Sequence, residues 1–343
     1  MSRLGTWMRP PSFWDTRNAI SDACVPLSFL YTAGSKLWEA AAHPPTRVSA
    51  TVICVGSALV GGAGKTPVTM AIANLLVKRR PDLSTHVLSR GYGGTECGPL
   101  RVDANHHSSA AVGDEPLLLA ETAPTWIGAR RSETARAACA KGANILLMDD
   151  GLQHSSLFRN LNLLCLQADY LLGNQRVLPA GPLRESFAST LRRCDAIIAL
   201  GCARRTADGR RIRAELQVNA SIPIITAAIE PDVEVSKRLK GQRVIAFSGI
   251  ARPERFFCTL SSIGCIFACV PHALPDHAEF TPELLDALER EATSQGAQLV
   301  TTCKDAVRLP SGVRKHVVAL PITLRWTTGE EILEELIDAA LLS

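Results

Sequence analysis

At 343 residues the chain is long enough for two domains, or one large one, with ample core. It is 46% hydrophobic but only 5% aromatic, which suits an α/β protein built from Val, Ile, Leu and Ala, and its net charge of +4 is too small to imply nucleic-acid binding. The 11 cysteines are odd in number and scattered, with no Cys-x-x-Cys pair, so they argue against a disulfide framework and for a reducing compartment, the cytosol.

Met1 to Asp22 mixes aromatic, basic and acidic residues without the continuous apolar run of a signal peptide. Ala23 to Ser35 is uncharged but too short to span a bilayer. Trp7, Phe13, Trp14 and Trp38 surround it, with Arg3, Arg9, Arg17, Lys36 and Arg47. Aromatic anchors beside cations and a short apolar face suit a segment lying in a membrane interface. Packing of the same segment on the protein's own core is the competing reading.

The apolar run Thr51–Val55 reads as a strand, and Val68 to Leu76 reads as a helix. Between them lies Gly61-Gly62-Ala63-Gly64-Lys65-Thr66, most of a phosphate-binding loop. The usual G-x-x-x-x-G-K-[ST] pattern would place a glycine where Leu59 stands. The glycines still let backbone N–H groups converge, Lys65 supplies a cation, and the Thr66 hydroxyl can ligate Mg²⁺. A strand feeding a helix N-terminus is where nucleotide phosphates sit.

Strands are expected at His86–Ser89, Thr125–Ile127, Ile145–Met148, Asn162–Leu166, Ala196–Leu200 and Ile222–Ala228. Helices are expected at Glu115–Glu121, Ser132–Ala140 and Phe187–Arg193. This alternation describes a P-loop NTPase-type α/β fold, a parallel sheet with helices on both faces. A charge-rich stretch from Glu230 to Gln242 interrupts it. A second, smaller α/β alternation follows, through Val244–Phe247, Glu254–Ser261, Ile266–Val270, Pro282–Ala292, Leu299–Thr302 and Val317–Leu320. The expected domains are residues 1–45, a membrane-proximal helical segment; 46–232, a P-loop core; and 233–343, the smaller α/β domain.

Several strand ends carry chemistry. Ile145 to Met148 runs into Asp149 and Asp150. An acid in that place holds Mg²⁺ opposite the loop's Ser/Thr, and Asp149 is the better candidate. Asp150 points to the other side, toward water or the attacking group. His154 follows in Gly151-Leu152-Gln153-His154, as a catalytic group, as a residue orienting Asp150, or as a structural hydrogen-bonding histidine. Arg90, in Ser89-Arg90-Gly91-Tyr92-Gly93-Gly94, either reaches a phosphate or belongs to a plain glycine hairpin. Asp114, in Gly113-Asp114-Glu115-Pro116, reads on its own as a helix cap. Arg176 and Arg184 flank a Pro/Gly-constrained loop suited to an oxyanion or phosphate. Asp276-His277 reads as surface loop, while Lys304-Asp305 is similar in type to base-recognition loops without being Asn-Lys-x-Asp. Cys258, Cys265, Cys269 and His272 match no common zinc spacing, so buried thiols are the simpler reading.

Taken in order, these pieces resemble the tetraacyldisaccharide 4′-kinase family of the lipid A pathway in Gram-negative bacteria. The resemblance rests on Gly61 to Pro67, Ser89 to Gly94, Gly113 to Pro116, Asp149 to His154, Leu178 to Glu185, Phe247 to Pro253, Asp276-His277 and Lys304 to Leu309. It extends to Pro26-Leu27-Ser28-x-Leu30-Tyr31, which looks like the family's membrane-proximal helix. Two positions depart from it: Ser57 stands where Asn is expected, and Cys303 where an acid is expected.

The resemblance implies ATP and Mg²⁺ as cofactors. It implies phosphorylation of the 4′-hydroxyl of a tetraacylated glucosamine disaccharide 1-phosphate at the cytoplasmic face of the inner membrane, with no nucleic-acid partner. Lys65 would hold the β/γ-phosphates, Thr66 and Asp149 the Mg²⁺, and Asp114 would be the base toward the sugar hydroxyl, assisted by His277. Lys304 would contact the nucleotide, and Arg90, Arg176, Arg184 and His154 the substrate, with Asp150 beside the transferring group. Trp7 to Trp38 would lie on the inner leaflet. The competing function is a membrane-recruited P-loop ATPase switch, but that class carries a lysine where Val60 stands. A metal-insertion GTPase lacks support without Asn-Lys-x-Asp or clustered Cys/His ligands.

Overall fold

The computed structural model describes residues 11–40, 44–201 and 206–343. The expected membrane-segment residues Arg3, Trp7 and Arg9 lie outside them. By contact density the chain divides into two compact units, Ile229–Thr323 and Pro11–Ala228 joined by Leu324–Ser343.

The larger unit begins with α1 (Ala19–Ala23) and α2 (Val25–Ala40). Asn18 and Ser21 form a reciprocal capping box that starts α1. There follow β1 (Thr51–Gly56), α3 (Lys65–Arg79), β2 (Thr85–Ser89), β3 (Leu100–Arg101), α4 (Ser109–Val112), α5 (Asp114–Ala120) and β4 (Thr125–Ile127). Next come α6 (Arg131–Ala140), β5 (Ile145–Asp149), β6 (Leu161–Gln167), α7 (Phe187–Leu191), β7 (Ala196–Gly201), α8 (Gly209–Leu216) and β8 (Ile224–Pro231).

The smaller unit supplies α9 (Val233–Leu239), β9 (Arg243–Ser248), α10 (Pro253–Ile263), β10 (Ile266–Phe267), β11 (His272–Ala273) and α11 (Pro282–Gln295). It continues with β12 (Gln298–Thr302), α12 (Cys303–Ala306), α13 (Ser311–Arg314) and β13 (Val317–Leu320). The chain then returns through β14 (Ile322–Thr328) and α14 (Glu330–Leu342).

The large sheet runs β14-β8-β7-β6-β1-β5-β2-β4-β3. From β8 to β4 the pairs are parallel, and β3 lies antiparallel on β4. Strands covered on both faces read as continuous apolar runs rather than alternating ones. Accordingly Val52 to Val55, Ile145 to Met148 and Leu163 to Leu166 are all buried. Strand order reverses around β1, with β5 on one side and β6 on the other. The carboxyl ends of these strands are where an open α/β sheet binds its ligand.

The second sheet, β10-β9-β12-β13 with β11 also on β9, is parallel throughout. Its core includes Phe247, Phe280, Leu285 and Leu288, with the two phenyl rings edge-to-face at 5.7 Å.

The expected boundary after residue 232 falls close to the first crossing, at Ala228/Ile229. The C-terminal segment 324–343 differs from the expected 233–343 domain: α14 packs on β1 and β6, so it belongs to the larger unit. Leu333 and Ile337 supply its buried face. Within the smaller unit, Ile266–Val270 is a strand only as far as Phe267. The chain bends there, leaves Val270 exposed, and pairs again at His272.

The N-terminal segment is fixed at one side and open at the other. The Ser28 hydroxyl donates to the Val177 carbonyl (2.8 Å) and accepts from the Ala180 N–H (3.2 Å). Trp14 Nε1 donates to Pro179 O at 3.0 Å. Yet Phe29, Leu30 and Leu37 are each 72% exposed and Trp38 is 82% exposed. Packing on the protein's own core therefore does not account for this face of α2. Among the described residues no helix is long and apolar enough to cross a membrane.

Candidate active site

β1 ends at Gly56, and the next residues explain the missing glycine of the phosphate loop. Ser57 is buried, and its hydroxyl accepts the Leu59 N–H at 3.0 Å, a turn that an Asn side chain could equally make. Leu59 is buried and pairs antiparallel with Leu183. The Val60 N–H donates to Pro182 O (3.0 Å), and the Arg184 N–H to Ala58 O (2.8 Å). The loop entrance is thus a short ladder against the Pro/Gly loop, and the position needs an apolar side chain, not a left-handed backbone.

That conformation appears further on, at Gly61 (φ 87°) and Gly64 (φ 81°). A Cβ on Gly64 would lie 2.3 Å from Leu200 Cδ1 and 2.8 Å from Gln167 Nε2, so any side chain there would have to displace both. Lys65 then opens α3, whose first N–H groups have no intrahelical partner and face an anion site.

Two adjacent carboxylates meet this loop in opposite environments. Asp149 is buried and accepts hydrogen bonds from Thr66 Oγ1 (3.4 Å) and Thr69 Oγ1 (3.2 Å). Burial, then the charge of Glu115, pushes its carboxyl up to about 7, against the pull of Lys65. Asp150 adopts a left-handed φ of 54° that turns it the other way. Its carboxylate lies 3.6 Å from Lys65 Nζ and accepts both Arg184 amino groups, at 3.0 and 2.8 Å. Burial alone would raise its pKa, but Lys65 and Arg184 outweigh that and hold it below the usual range. Arg184 also donates to Gln153 Oε1 (3.0 Å), and Gln153 Nε2 donates to Ser57 O (3.0 Å). One network therefore ties Asp150, the Pro/Gly loop and the phosphate loop together.

The residues here fit Mg²⁺ and a nucleotide. Thr66 and Asp149 offer only oxygen donors, which suit a hard cation, and a buried carboxylate with a raised pKa is one that a cation would stabilise as the anion. Gly61, Gly62, Ala63 and Gly64 would present backbone to the phosphates, and Lys65 would present charge.

Asp114 is buried at the start of α5, after Gly113 at φ 91°, and its Oδ1 accepts the Glu115 N–H at 2.8 Å. The adjoining Glu115 is close enough for its charge to act on Asp149. Arg90 is exposed and, with Arg131, acts electrostatically on His154. Burial first, then those two cations, pushes the His154 pKa down to about 4, so its ring is neutral near pH 7. Buried Arg131 is lowered to about 10 by desolvation. The loop beneath is locked by Arg159, whose Nη1 donates to the carbonyls of Gly151 (2.7 Å) and His154 (2.8 Å).

Arg176 is held elsewhere: it bonds Ser21 Oγ (3.2 Å) and pairs with Asp22, pinning α1 to the Pro/Gly loop. In the smaller unit, Lys304 Nζ lies 3.4 Å from His277 Nε2 and 3.8 Å from Asp276 Oδ1. His277 takes a left-handed φ of 55°, and its N–H donates to Gly249 O at 3.0 Å. Asp276, His277 and Lys304 therefore form one cluster, not a surface loop and a separate base site. The likeness of Asp305 to a base-reading aspartate fails on burial. It is fully enclosed, accepting from Ser248 Oγ (2.9 Å), Thr302 Oγ1 (2.7 Å) and the Gly249 N–H (3.1 Å), and pairing with Arg308.

Sequence reasoning missed Thr69, Glu115, Arg131 and Gln153. Thr69 follows Thr66 at the i,i+3 spacing that shares a helix face, so it was findable. Nothing local marks Arg131, whose place depends on tertiary packing.

Residues 20–342 match the family described as tetraacyldisaccharide-1-P 4′-kinase. The tetraacyldisaccharide 4′-kinase of Paramagnetospirillum magneticum is 43% identical over 321 residues, covering 93% of this chain and 95% of that protein. That of Rhodospirillum centenum is 43% identical over 326 residues, covering 93% of each. The crystal structure of Aquifex aeolicus LpxK in complex with ATP superposes with a TM-score of 0.71 at 27% identity, covering 94% of this chain and 99% of that one.

Proposed function

The chain belongs to the tetraacyldisaccharide-1-P 4′-kinase family, and we propose that it moves the γ-phosphate of ATP to the 4′-hydroxyl of a tetraacylated glucosamine disaccharide 1-phosphate in lipid A biosynthesis. The observation that carries this reading is the meeting of Lys65, Thr66, Asp149, Asp150 and Arg184 at the carboxyl ends of β1 and β5.

Phosphoryl transfer asks mainly for positioning and charge neutralisation. Backbone N–H groups of Gly61 to Gly64 and the start of α3 cradle the phosphates, and Lys65 neutralises the β/γ oxygens. Thr66 and Asp149 hold Mg²⁺, with Thr69 orienting the Asp149 carboxylate. Bound there, Mg²⁺ would supply positive charge to offset that developing on the transferred phosphoryl group. Asp150, held by Lys65 and Arg184, positions those two cations. Asp114, buried and anchored by the Glu115 N–H, orients the 4′-hydroxyl and takes its proton. In the smaller unit, Lys304 places the His277 ring. Arg90, Arg184 and neutral His154 contact the lipid's polar head. Arg176 reaches it only by leaving Asp22.

The exposed face of α2 rests on the inner-membrane surface, at its cytoplasmic side, so the acyl chains stay in the bilayer while the sugar enters the site. The test is incubation of the purified protein with Mg-ATP and detergent-dispersed disaccharide 1-phosphate, followed by mass spectrometry. A lipid gaining one phosphate is expected. ATP hydrolysis with unchanged lipid would favour the ATPase switch.

A further inference from the structure

The smaller unit brings together three metal-ligating side chains that the phosphotransfer site does not use. Of the sulfur and imidazole groups in the 258–272 segment, Cys269 and His272 meet, with Sγ 3.7 Å from Nε2. The third member comes from α11: Glu291 Oε2 lies 3.0 Å from the same His272 nitrogen. All three ligand atoms fall within 4.8 Å of one another.

A tetrahedral zinc ion, with bonds of about 2.0 Å to nitrogen or oxygen and about 2.3 Å to sulfur, holds its donors about 3.3 to 3.6 Å apart. The observed separations bracket that range, so small side-chain adjustments complete the geometry. We propose that Cys269, His272 and Glu291 form a binding site for a borderline divalent transition metal of the Zn²⁺ class.

The donor set selects the metal. One sulfur, one imidazole nitrogen and one carboxylate suit Zn²⁺ and its neighbours and do not suit Mg²⁺ or Ca²⁺, which take oxygen ligands. All three residues are partly exposed, so the metal has an entry path and a fourth position open to water. The site also spans three separate elements. Cys269 lies in the bend after β10, His272 opens the two-residue β11, and Glu291 is on the long α11. A metal there clamps that bend to the helix, immediately upstream of Asp276-His277. The spacing was illegible in sequence because Glu291 comes from a distant helix and replaces the expected second pair of Cys or His.

The experiment uses the tag-free full chain and Co²⁺ as a spectroscopic substitute for Zn²⁺. A thiolate-to-cobalt charge-transfer band with tetrahedral ligand-field bands is expected, saturating at about one equivalent and displaced by Zn²⁺. Cys269→Ser removes the charge-transfer band, whereas Cys97→Ser, at an exposed thiol far along the sequence, leaves it unchanged. Glu291→Gln, which keeps the cysteine, weakens Zn²⁺ binding about tenfold or more in a chelator competition. A spectrum without the thiolate band, or one that survives Cys269→Ser, overturns the proposal. So does Zn²⁺ affinity unaltered by Glu291→Gln.

Discussion

Asp149 and Asp150 are neighbours in the chain with opposite assignments, and their surroundings decide which is which. Burial beside Glu115 makes Asp149 a carboxylate that a cation would stabilise, while Lys65 and Arg184 keep Asp150 ionised and fully engaged. The proton acceptor we propose is Asp114. Asp114→Asn keeps an oxygen for the Glu115 N–H and removes only the basic group. We expect kcat to fall by about 10²- to 10⁴-fold with ATP affinity and thermal midpoint preserved; full turnover would end the assignment. His154 makes a separate prediction about acid stability. Its pKa drops from the ordinary 6.5 to about 4 on folding, so the unfolded chain binds the extra proton. The stability it lends is present above about 6.5 and is lost as pH falls toward 4. Thermal unfolding across that window should show the wild type losing stability more steeply than His154→Gln. Parallel curves would show that the ring is not held neutral. Lys65, Thr66 and Asp149 were legible as a constellation because strand ends and loop glycines are local signals. The contrast between Asp149 and Asp150 was not legible in sequence, since it depends on partners more than 30 residues away, such as Glu115 and Arg184.

At the scale of elements, the phosphate loop departs from its pattern for a packing reason. Leu59 is a core residue paired with Leu183, so Leu59→Gly restores the motif while emptying a buried site. It should destabilise by about 3 kcal/mol in denaturant titration without tightening ATP binding. A stability change near zero would show that the entrance ladder does not matter. The exposed face of α2 predicts differently. Phe29→Glu with Leu30→Glu should abolish co-sedimentation with anionic vesicles while leaving the thermal midpoint unchanged, since neither residue is packed. Undiminished sedimentation would place the membrane contact elsewhere. The central strands of both sheets were readable because doubly covered strands are uninterrupted apolar runs, whereas the mostly exposed β14 was not. Nor were the helices α8, α9 and α14. In α9, charged residues outnumber the single buried Leu239, so an amphipathic helix passes for a linker. The strands β3 and β11 are two residues long, below any periodicity.

The whole molecule is two parallel-sheet units on one chain, with the C-terminal helix returning to the larger. The charged stretch near residues 230–242 follows the first crossing between the two units, yet it forms α9 and buries Leu239 in a core. The return of 324–343 was not legible, as nothing in Glu330 to Leu342 says which sheet its apolar stripe will cover. The larger unit holds the residues proposed to bind the phosphates and Mg²⁺, and the smaller one holds His277 and Lys304. The most direct measurement follows the label from [γ-³²P]ATP in a reaction of the purified chain with Mg²⁺ and disaccharide 1-phosphate, alongside Lys65→Ala. The wild type should place the label on the lipid as a 4′-phosphate monoester, one per ATP consumed, and the folded Lys65→Ala protein should place none there. Label released from the wild type only as inorganic phosphate, or lipid labelling that survives Lys65→Ala, would contradict the assignment.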